Sequence, residues 1–179
     1  MKMLRTIRLD PSDTFVFDRA AEPGEWAVSG AFVFWNADAS KLEGKKRAAF
    51  RGAFLGVESL GWSTLVQIVE AKAVDRKHVI EMLAHHLVRV FGAPDLKAAR
   101  AASEEEVFFA ESLCSHPADT LVAVRRTYDD GEIRETFRTL QPRDGSKLRR
   151  AFSVLEVEGD DESPGEKVDL VGLAEEKGK

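Results

Sequence analysis

Apolar and polar positions alternate along several short runs of the chain, a pattern typical of β-strands with one buried face. These runs are rich in β-branched and aromatic residues and are bounded by turn-forming residues. They cover residues 4–9, 14–17, 26–35, 62–70, 120–128 and 132–140. The run 26–35 has apolar side chains at both parities, so we expect a central strand covered on both faces. Asp129-Asp130-Gly131, between the last two runs, predicts an antiparallel hairpin.

The middle of the chain changes to a helical period, with apolar residues three and four positions apart. This stripe predicts a helix over residues 75–91, ended by a glycine. A second helix is expected near Asp95, and a third where Ser103 and Glu106 have the spacing of a capping box. Residues 41–56 combine helical i,i+4 spacing with three glycines, so their conformation stays open.

The predicted elements follow the order strands, helices, strands, without a regular βαβ alternation. We therefore predict an α+β fold, a mainly antiparallel sheet with two to three helices packed on one face. Residues 1–140 form the single folded domain, residues 141–158 a linker with one further edge strand, and residues 159–179 an acidic tail. Nine acidic residues and one lysine lie between positions 156 and 176, so we expect the tail to be disordered.

Charge and cysteine content narrow the classes of function. The net charge of −5 gives no general attraction to phosphate backbones, so we expect no nucleic-acid partner. A single cysteine excludes an intramolecular disulfide and suits a reducing compartment. The first residues lack the apolar stretch of a secretory signal, and no apolar run approaches the ~20 residues of a membrane-spanning helix. We therefore expect a soluble, cytoplasmic protein with no membrane association.

No motif indicates catalysis, and we expect neither a cofactor nor a metal. The glycines match neither the phosphate loop nor the dinucleotide fingerprint, and no Gly-x-Ser-x-Gly elbow is present. His78, Glu81 and His85 share one face of the predicted helix and could bind a divalent cation. The simpler interpretation is the solvated face of an amphipathic helix.

The alternative to a binding protein is a small-molecule-binding protein or enzyme with a pocket near His86 and Cys114. A partly buried His86 could accept a proton, and Cys114 with His116 superficially forms a nucleophile and its base. Cys114, however, lies near the end of a predicted helix, where the helix dipole opposes thiol ionisation. An inert thiol is the simpler interpretation.

The strongest local excess of charge lies between residues 41 and 51, a stretch that contains five basic residues and only one acidic residue, Glu43. The candidate interaction patch combines cations with aromatic side chains, and comprises Lys45, Lys46, Arg47, Phe50, Arg51 and Phe54. Such a patch could bind an anionic ligand or an acidic partner surface, with the aromatic rings supplying contact area. The simpler alternative is a solvated loop whose phenylalanines anchor it to the core.

We predict from this a non-catalytic binding or accessory protein that contacts a protein partner through the patch or through an exposed sheet edge. A homodimer through an edge strand would also be compatible with the chain. The residues alone identify neither partner nor ligand.

Three stretches resemble a family of uncharacterised bacterial proteins over about residues 4–140. They are Leu4-Arg-Thr-Ile-Arg-Leu-Asp10, Phe50-Arg-Gly-Ala-Phe-Leu-Gly56 with Gly61-Trp62-Ser63-Thr64, and the helix through His85-His86. No activity is established for that family, so no residue role is carried over. Its members accompany accessory proteins for molybdenum-dependent formate dehydrogenases, and the resemblance therefore implies an accessory role.

Overall fold

A computed structural model describes residues 1–142 and 155–158, with side chains in residues 1–140. Its strands form one sheet in the order β4-β3-β2-β1-β5-β6-β7-β8, and all neighbouring strands are antiparallel. The strands are β1 Lys2–Ile7, β2 Trp26–Val28, β3 Phe54–Gly56, β4 Trp62–Ser63, β5 Leu65–Glu70, β6 Leu121–Asp129, β7 Glu132–Pro142 and β8 Leu155–Glu158.

The α-helices of the described residues are α1 Ser12–Val16, α2 Gly44–Gly52, α3 Ala73–Arg89 and α4 Leu96–Ser112, and 3-10 turns lie at Ala31–Phe34 and Ala39–Lys41. The two long helices pack against each other, and α4 packs on β1 and β2. Ion pairs join the start of α3 to the end of α4 and the middle of α3 to the start of α4, namely Arg76–Glu111 and Glu81–Arg100. The α+β fold with a mainly antiparallel sheet is confirmed. None of these helices is long and apolar enough to cross a membrane.

The predicted strand at residues 14–17 is wrong, because residues 14–16 belong to the short helix α1 and Phe17 caps its end. The turn before it continues into a helical turn. The amide of Ser12 donates to the Asp10 carboxylate (2.8 Å), and the Thr14 hydroxyl donates to the carbonyl of Pro11 (2.6 Å). Helix α1 thereby leaves Phe15 on the surface, 72% exposed.

The predicted central strand at residues 26–35 is correct only as far as Val28. Gly30 has a positive φ of 76°, and a Cβ at this position would lie 2.6 Å from the Cβ of Leu55. Only glycine fits such a backbone at such a distance. The chain leaves the sheet there and continues as a 3-10 turn, which buries Phe34 and leaves Trp35 75% exposed.

Residues 41–56, whose conformation the sequence leaves open, contain helix α2 followed by strand β3. The glycines that argue against a helix lie at boundaries: Gly44 begins α2, Gly52 ends it, and Gly56 ends β3. At such positions glycine costs a helix little, whereas in the interior it costs about 1 kcal/mol.

Two other predicted boundaries differ from the structure. The run at residues 62–70 is divided at Thr64, whose amide donates to the buried carboxylate of Asp13 (3.1 Å). The two predicted helices after residue 95 are one helix, α4, and the expected N-cap Ser103 lies buried within it. The N-cap is Asp95, whose carboxylate accepts from the amide of Ala98 (2.8 Å).

Beyond residue 142 the structure describes only β8, which pairs with β7 between Pro142 and Thr139. This strand falls within the stretch for which an edge strand is predicted. Residues 143–154 of the predicted linker and edge-strand stretch 141–158 lie outside the described residues, as does the tail at residues 159–179, for which disorder is predicted.

Candidate interaction surface

One buried arginine ties together distant parts of the chain. The side chain of Arg126, in β6, is completely buried, and its guanidinium donates to the carbonyls of Phe50 (3.2 Å), Ala53 (2.7 Å) and Ser29. It also donates to the Ser29 hydroxyl (3.1 Å) and, through Nε, to Glu135 (2.7 Å). The five N–H groups of an arginine are all engaged in these contacts. Arg126 therefore acts as a structural clamp with no donor left for a ligand.

The clamp explains how α2 is held. In the sheet order, β6 is separated from β2 and β3 by other strands, so the sheet must curl to bring Arg126 to the ends of β2 and α2. Helix α2 packs on β6 as a result. The Phe54 ring also lies 6.1 Å from the Phe137 ring of β7, which closes the curl with apolar contact.

A second carboxylate lies beside the clamp. Glu106, in α4, accepts a hydrogen bond from the amide of Gly30 (2.9 Å). Burial raises the pKa of the Glu106 carboxyl, and the negative charge of Glu135 raises it further. The hydrogen bond from Gly30 and the positive charge of Arg126 act in the opposite direction. Burial also disfavours the charged form of Arg126 and so lowers its pKa, while the negative charge of Glu135 opposes this shift. The polar groups around Arg126 thus stabilise a chain junction and show no arrangement for catalysis.

The candidate patch divides into two groups with different roles. Its four cations, Lys45, Lys46, Arg47 and Arg51, are exposed on α2. Its aromatic members are not, since Phe50 is 4% exposed and Phe54 is fully buried. The Phe50 ring packs edge-on against Phe34, with centroids 5.3 Å apart. The expectation that these two rings supply contact area is therefore wrong, because they anchor α2 and β3 to the core.

Other exposed aromatic side chains lie on the elements that surround α2. Trp35 directly follows Phe34, which packs on α2, and Phe15 lies on α1, which also packs against α2. The sequence pattern missed both, because it assigned residues 14–17 and 26–35 to strands. The sequence signals that could have revealed their exposure are the turn-forming residues before them, at positions 10–13 and 29–30. We define the α2 surface as Lys45, Lys46, Arg47, Arg51, Phe15 and Trp35.

The cations of the α2 surface lack local compensation. Among the side chains of residues 1–140, no acidic group lies within ion-pair distance of these four residues. Nearby Lys41 differs, because its ammonium group pairs with Asp38 (3.0 Å). The exposed charge on α2 is therefore available to a binding partner.

The helix face with His78 and His85 has a different electrostatic arrangement. The intervening Glu81 binds Arg100 through both carboxylate oxygens, at 2.8 to 3.1 Å. This hydrogen bonding holds the pKa of Glu81 below its ordinary value. Among the side chains of residues 1–140, no three metal-binding groups cluster closely enough to hold an ion.

The structure also opposes a nucleophilic role for Cys114. The thiol is 4% exposed and its Sγ lies 3.4 Å from the carbonyl of Ala110. Burial raises its pKa to about 11, with Lys2 opposing and Glu111 adding to the shift. A thiol with this pKa is almost entirely protonated at neutral pH, and the reactive form is the thiolate.

Comparison with known proteins assigns the chain to a family. A family model described as a family of unknown function, DUF6505, matches residues 1–156. Searches of curated proteins and of solved structures gave no match. The matched residues include Arg126 and its partners, helices α3 and α4, and the whole α2 surface. The chain therefore belongs to the family of unknown function DUF6505.

Proposed function

We propose that this protein is a non-catalytic binding or accessory protein that holds an acidic segment of a partner protein on the α2 surface. One observation carries the proposal: four exposed cations without an ion pair among residues 1–140 lie on one short helix, and the elements that contact this helix carry the exposed rings of Phe15 and Trp35. Surface cations that serve only solubility are usually interspersed with acids. The concentration of one sign on α2 supports a role in recognition.

The residue types suit recognition of an acidic, partly apolar segment. Tryptophan and arginine are enriched among interface residues that dominate binding energy. Trp35, at 75% exposure, offers a ring that a partner can cover. The arginines Arg47 and Arg51 can each bind a carboxylate through two parallel hydrogen bonds.

Rigidity of the helix adds to this argument. The carbonyls of Phe50 and Ala53 are fixed by Arg126, so the last turn of α2 is tied to β6. A preorganised surface loses less conformational entropy when it binds. We expect α2 to change little in backbone conformation on complex formation.

A protein partner fits better than nucleic acid. The whole chain has a net charge of −5, so long-range repulsion opposes a polyanion such as DNA, whereas a short acidic segment can approach α2 locally. The partner would be cytoplasmic, in line with the location predicted from the sequence. The accessory role implied by the resemblance, next to proteins that serve molybdenum-dependent formate dehydrogenases, belongs to the same proposal.

The test is affinity capture from the native host with a charge-reversed bait. The bait variant carries Lys45→Glu, Lys46→Glu, Arg47→Glu and Arg51→Glu. The matched control reverses four exposed cations away from α2, at Lys77, Arg89, Lys97 and Arg138, and so has the same net charge. We expect a partner that the wild type and the control retain and the α2 variant loses. Equal retention by all three proteins would refute the proposal.

A second variant tests the aromatic part of the surface. Trp35→Ala should weaken binding of the captured partner at least tenfold, since a central tryptophan commonly contributes more than ~1.4 kcal/mol to an interface. The fold should not change, because this side chain is mostly exposed. Capture of nucleic acid in place of protein, or of a second copy bound through β4 or β8, would contradict the assignment of α2 to a protein partner.

A further inference from the structure

The chain itself contains a segment with the chemistry that the α2 surface is proposed to recognise. Residues 159–179 include seven acids and three lysines, which gives their side chains a net charge of −4. Four aliphatic side chains lie among these charges, at Val168, Leu170, Val171 and Leu173. The segment is thus both acidic and partly apolar, which matches a surface of cations and aromatic rings.

We propose that the acidic segment 159–179 of the same chain docks on the α2 surface and competes there with the partner's acidic segment. This inference rests on the proposed function and adds a means of regulation to it. The acids pair with Lys45, Lys46, Arg47 and Arg51, and the aliphatic side chains cover Trp35 and Phe15.

Strand β8 runs toward the level of Arg126 before this segment begins. Strand β8 is antiparallel to β7 and therefore runs in the same direction as β6. It ends at Glu158, opposite Thr139, and runs toward the level of Glu135, the residue that pairs with Arg126. The four positions that separate Thr139 from Glu135 along β7 correspond to about 13 Å. Arg126 in turn contacts the end of α2.

The length of the segment is sufficient. The 21 residues after Glu158 can span at most about 70 Å, which exceeds the distance across a domain of this size. A tether of this kind produces an effective concentration in the millimolar range. Pairing with a dissociation constant at or below this concentration therefore suffices for the segment to occupy α2 at least half of the time.

Docking within the chain sets a threshold for partner binding. A partner must displace the acidic segment, so its apparent affinity falls by the fraction of time that α2 is occupied. Raised salt screens exposed charges, with a Debye length of about 8 Å at 0.15 M and about 3 Å at 1 M. Docking of the segment should therefore weaken strongly over this range.

The experiment places a spin label on the segment in the full chain. Ala174→Cys adds a second thiol within the segment and preserves every charge, while the native Cys114 is buried and reacts slowly. In a ¹⁵N-labelled protein we expect the nitroxide to broaden the amide signals of Gly44–Gly52 at low salt, and the broadening to disappear in 1 M NaCl. The signals of α3, away from the surface, serve as an internal reference.

Two further samples decide the interpretation. Adding Asp160→Lys, Asp161→Lys and Glu162→Lys to the labelled chain should abolish the broadening. A mixture of spin-labelled ¹⁴N protein with ¹⁵N protein that carries no spin label should show no broadening. Sharp α2 signals in the original labelled chain would overturn the proposal, and so would broadening that arises between copies in the mixture. Neither outcome affects the capture experiment, so failure of docking and failure of the proposed function are separable.

Discussion

Arg126 shows how a charged residue can be fully buried without a functional site. Its guanidinium has one acidic partner, Glu135, and three backbone carbonyls among its acceptors. A buried cation with every donor satisfied is tolerated, whereas one with a missing partner is costly. The sequence does not reveal this role, because Arg125 and Arg126 are identical residues that differ only in the face of β6 on which they lie.

Substitution of Arg126 should strongly destabilise the protein. Arg126→Ala leaves the Glu135 carboxylate and three carbonyls without their donor, and loss of one partner of a buried ion pair costs about 3–5 kcal/mol. The exposed neighbour, in Arg125→Ala, should change the free energy of unfolding by less than about 0.5 kcal/mol. Urea denaturation measures both, and similar values for the two variants would contradict the clamp.

The raised pKa of Glu106 leads to a second prediction about a single residue. The folded state holds the Glu106 proton more tightly than the unfolded state, because burial disfavours the carboxylate. Stability attributable to this group is therefore complete below the ordinary pKa of glutamate, about 4.3, and falls as pH rises through the raised folded-state pKa. Glu106→Gln keeps an acceptor for the Gly30 amide and removes this loss.

The measurement is the melting temperature of wild type and Glu106→Gln at pH 4 and pH 8. The variant should gain stability relative to the wild type at pH 8 and gain less at pH 4. Glu105→Gln, an exposed change on the same helix, is the charge-matched control and should show no such difference. A Glu106→Gln effect that is equal at both pH values would contradict the assignment.

At the scale of elements, the sequence predicts those whose signal is local. Helix α3 follows the apolar stripe, and the β6–β7 hairpin follows the Asp-Gly turn. Residues 26–35 are mispredicted because an apolar run on two faces is compatible with a strand and with a turn packed on α2. Gly30, just after β2, has a left-handed backbone and lies so close to Leu55 that only glycine fits, and such a contact is invisible to periodicity.

The start of α4 offers a test of this distinction. Asp95→Ala removes the observed N-cap and should cost about 1 kcal/mol. Ser103→Ala would cost a similar amount if Ser103 began a helix. In the structure its hydroxyl is buried and, among the described residues, has no hydrogen-bond partner, so the substitution should be neutral or stabilising. Thermal unfolding of the two variants discriminates between one helix and two.

For the molecule as a whole, the α+β class could be predicted and the curl of the sheet could not. The order of elements fixes the class. The curl depends on contacts such as Arg126 with Ala53 and with Ser29, which are separated by 73 and 97 positions in the chain. The same limit applies to the α2 surface, since its cations are visible in the sequence whereas Phe15 and Trp35 become part of it only in the folded chain.

Accessibility of the single cysteine reports on the whole fold. Because Cys114 is buried and its pKa is raised to about 11, a thiol reagent should modify it only when the protein unfolds. The modification rate at neutral pH should therefore rise steeply with urea, in parallel with the unfolded fraction. Rapid stoichiometric labelling of the native protein would contradict this and would restore Cys114 as a candidate reactive group.

The clamp also determines when during synthesis the basic helix can take its final position. Phe50 and Arg126 are 76 positions apart, so at 5–20 residues per second the α2 sequence leaves the ribosome about 4–15 s before its anchor. During this interval the cations are present on a segment that β6 does not yet hold. A chain terminated between residues 52 and 126 would therefore contain the charges of α2 without the surface that they form in the complete fold.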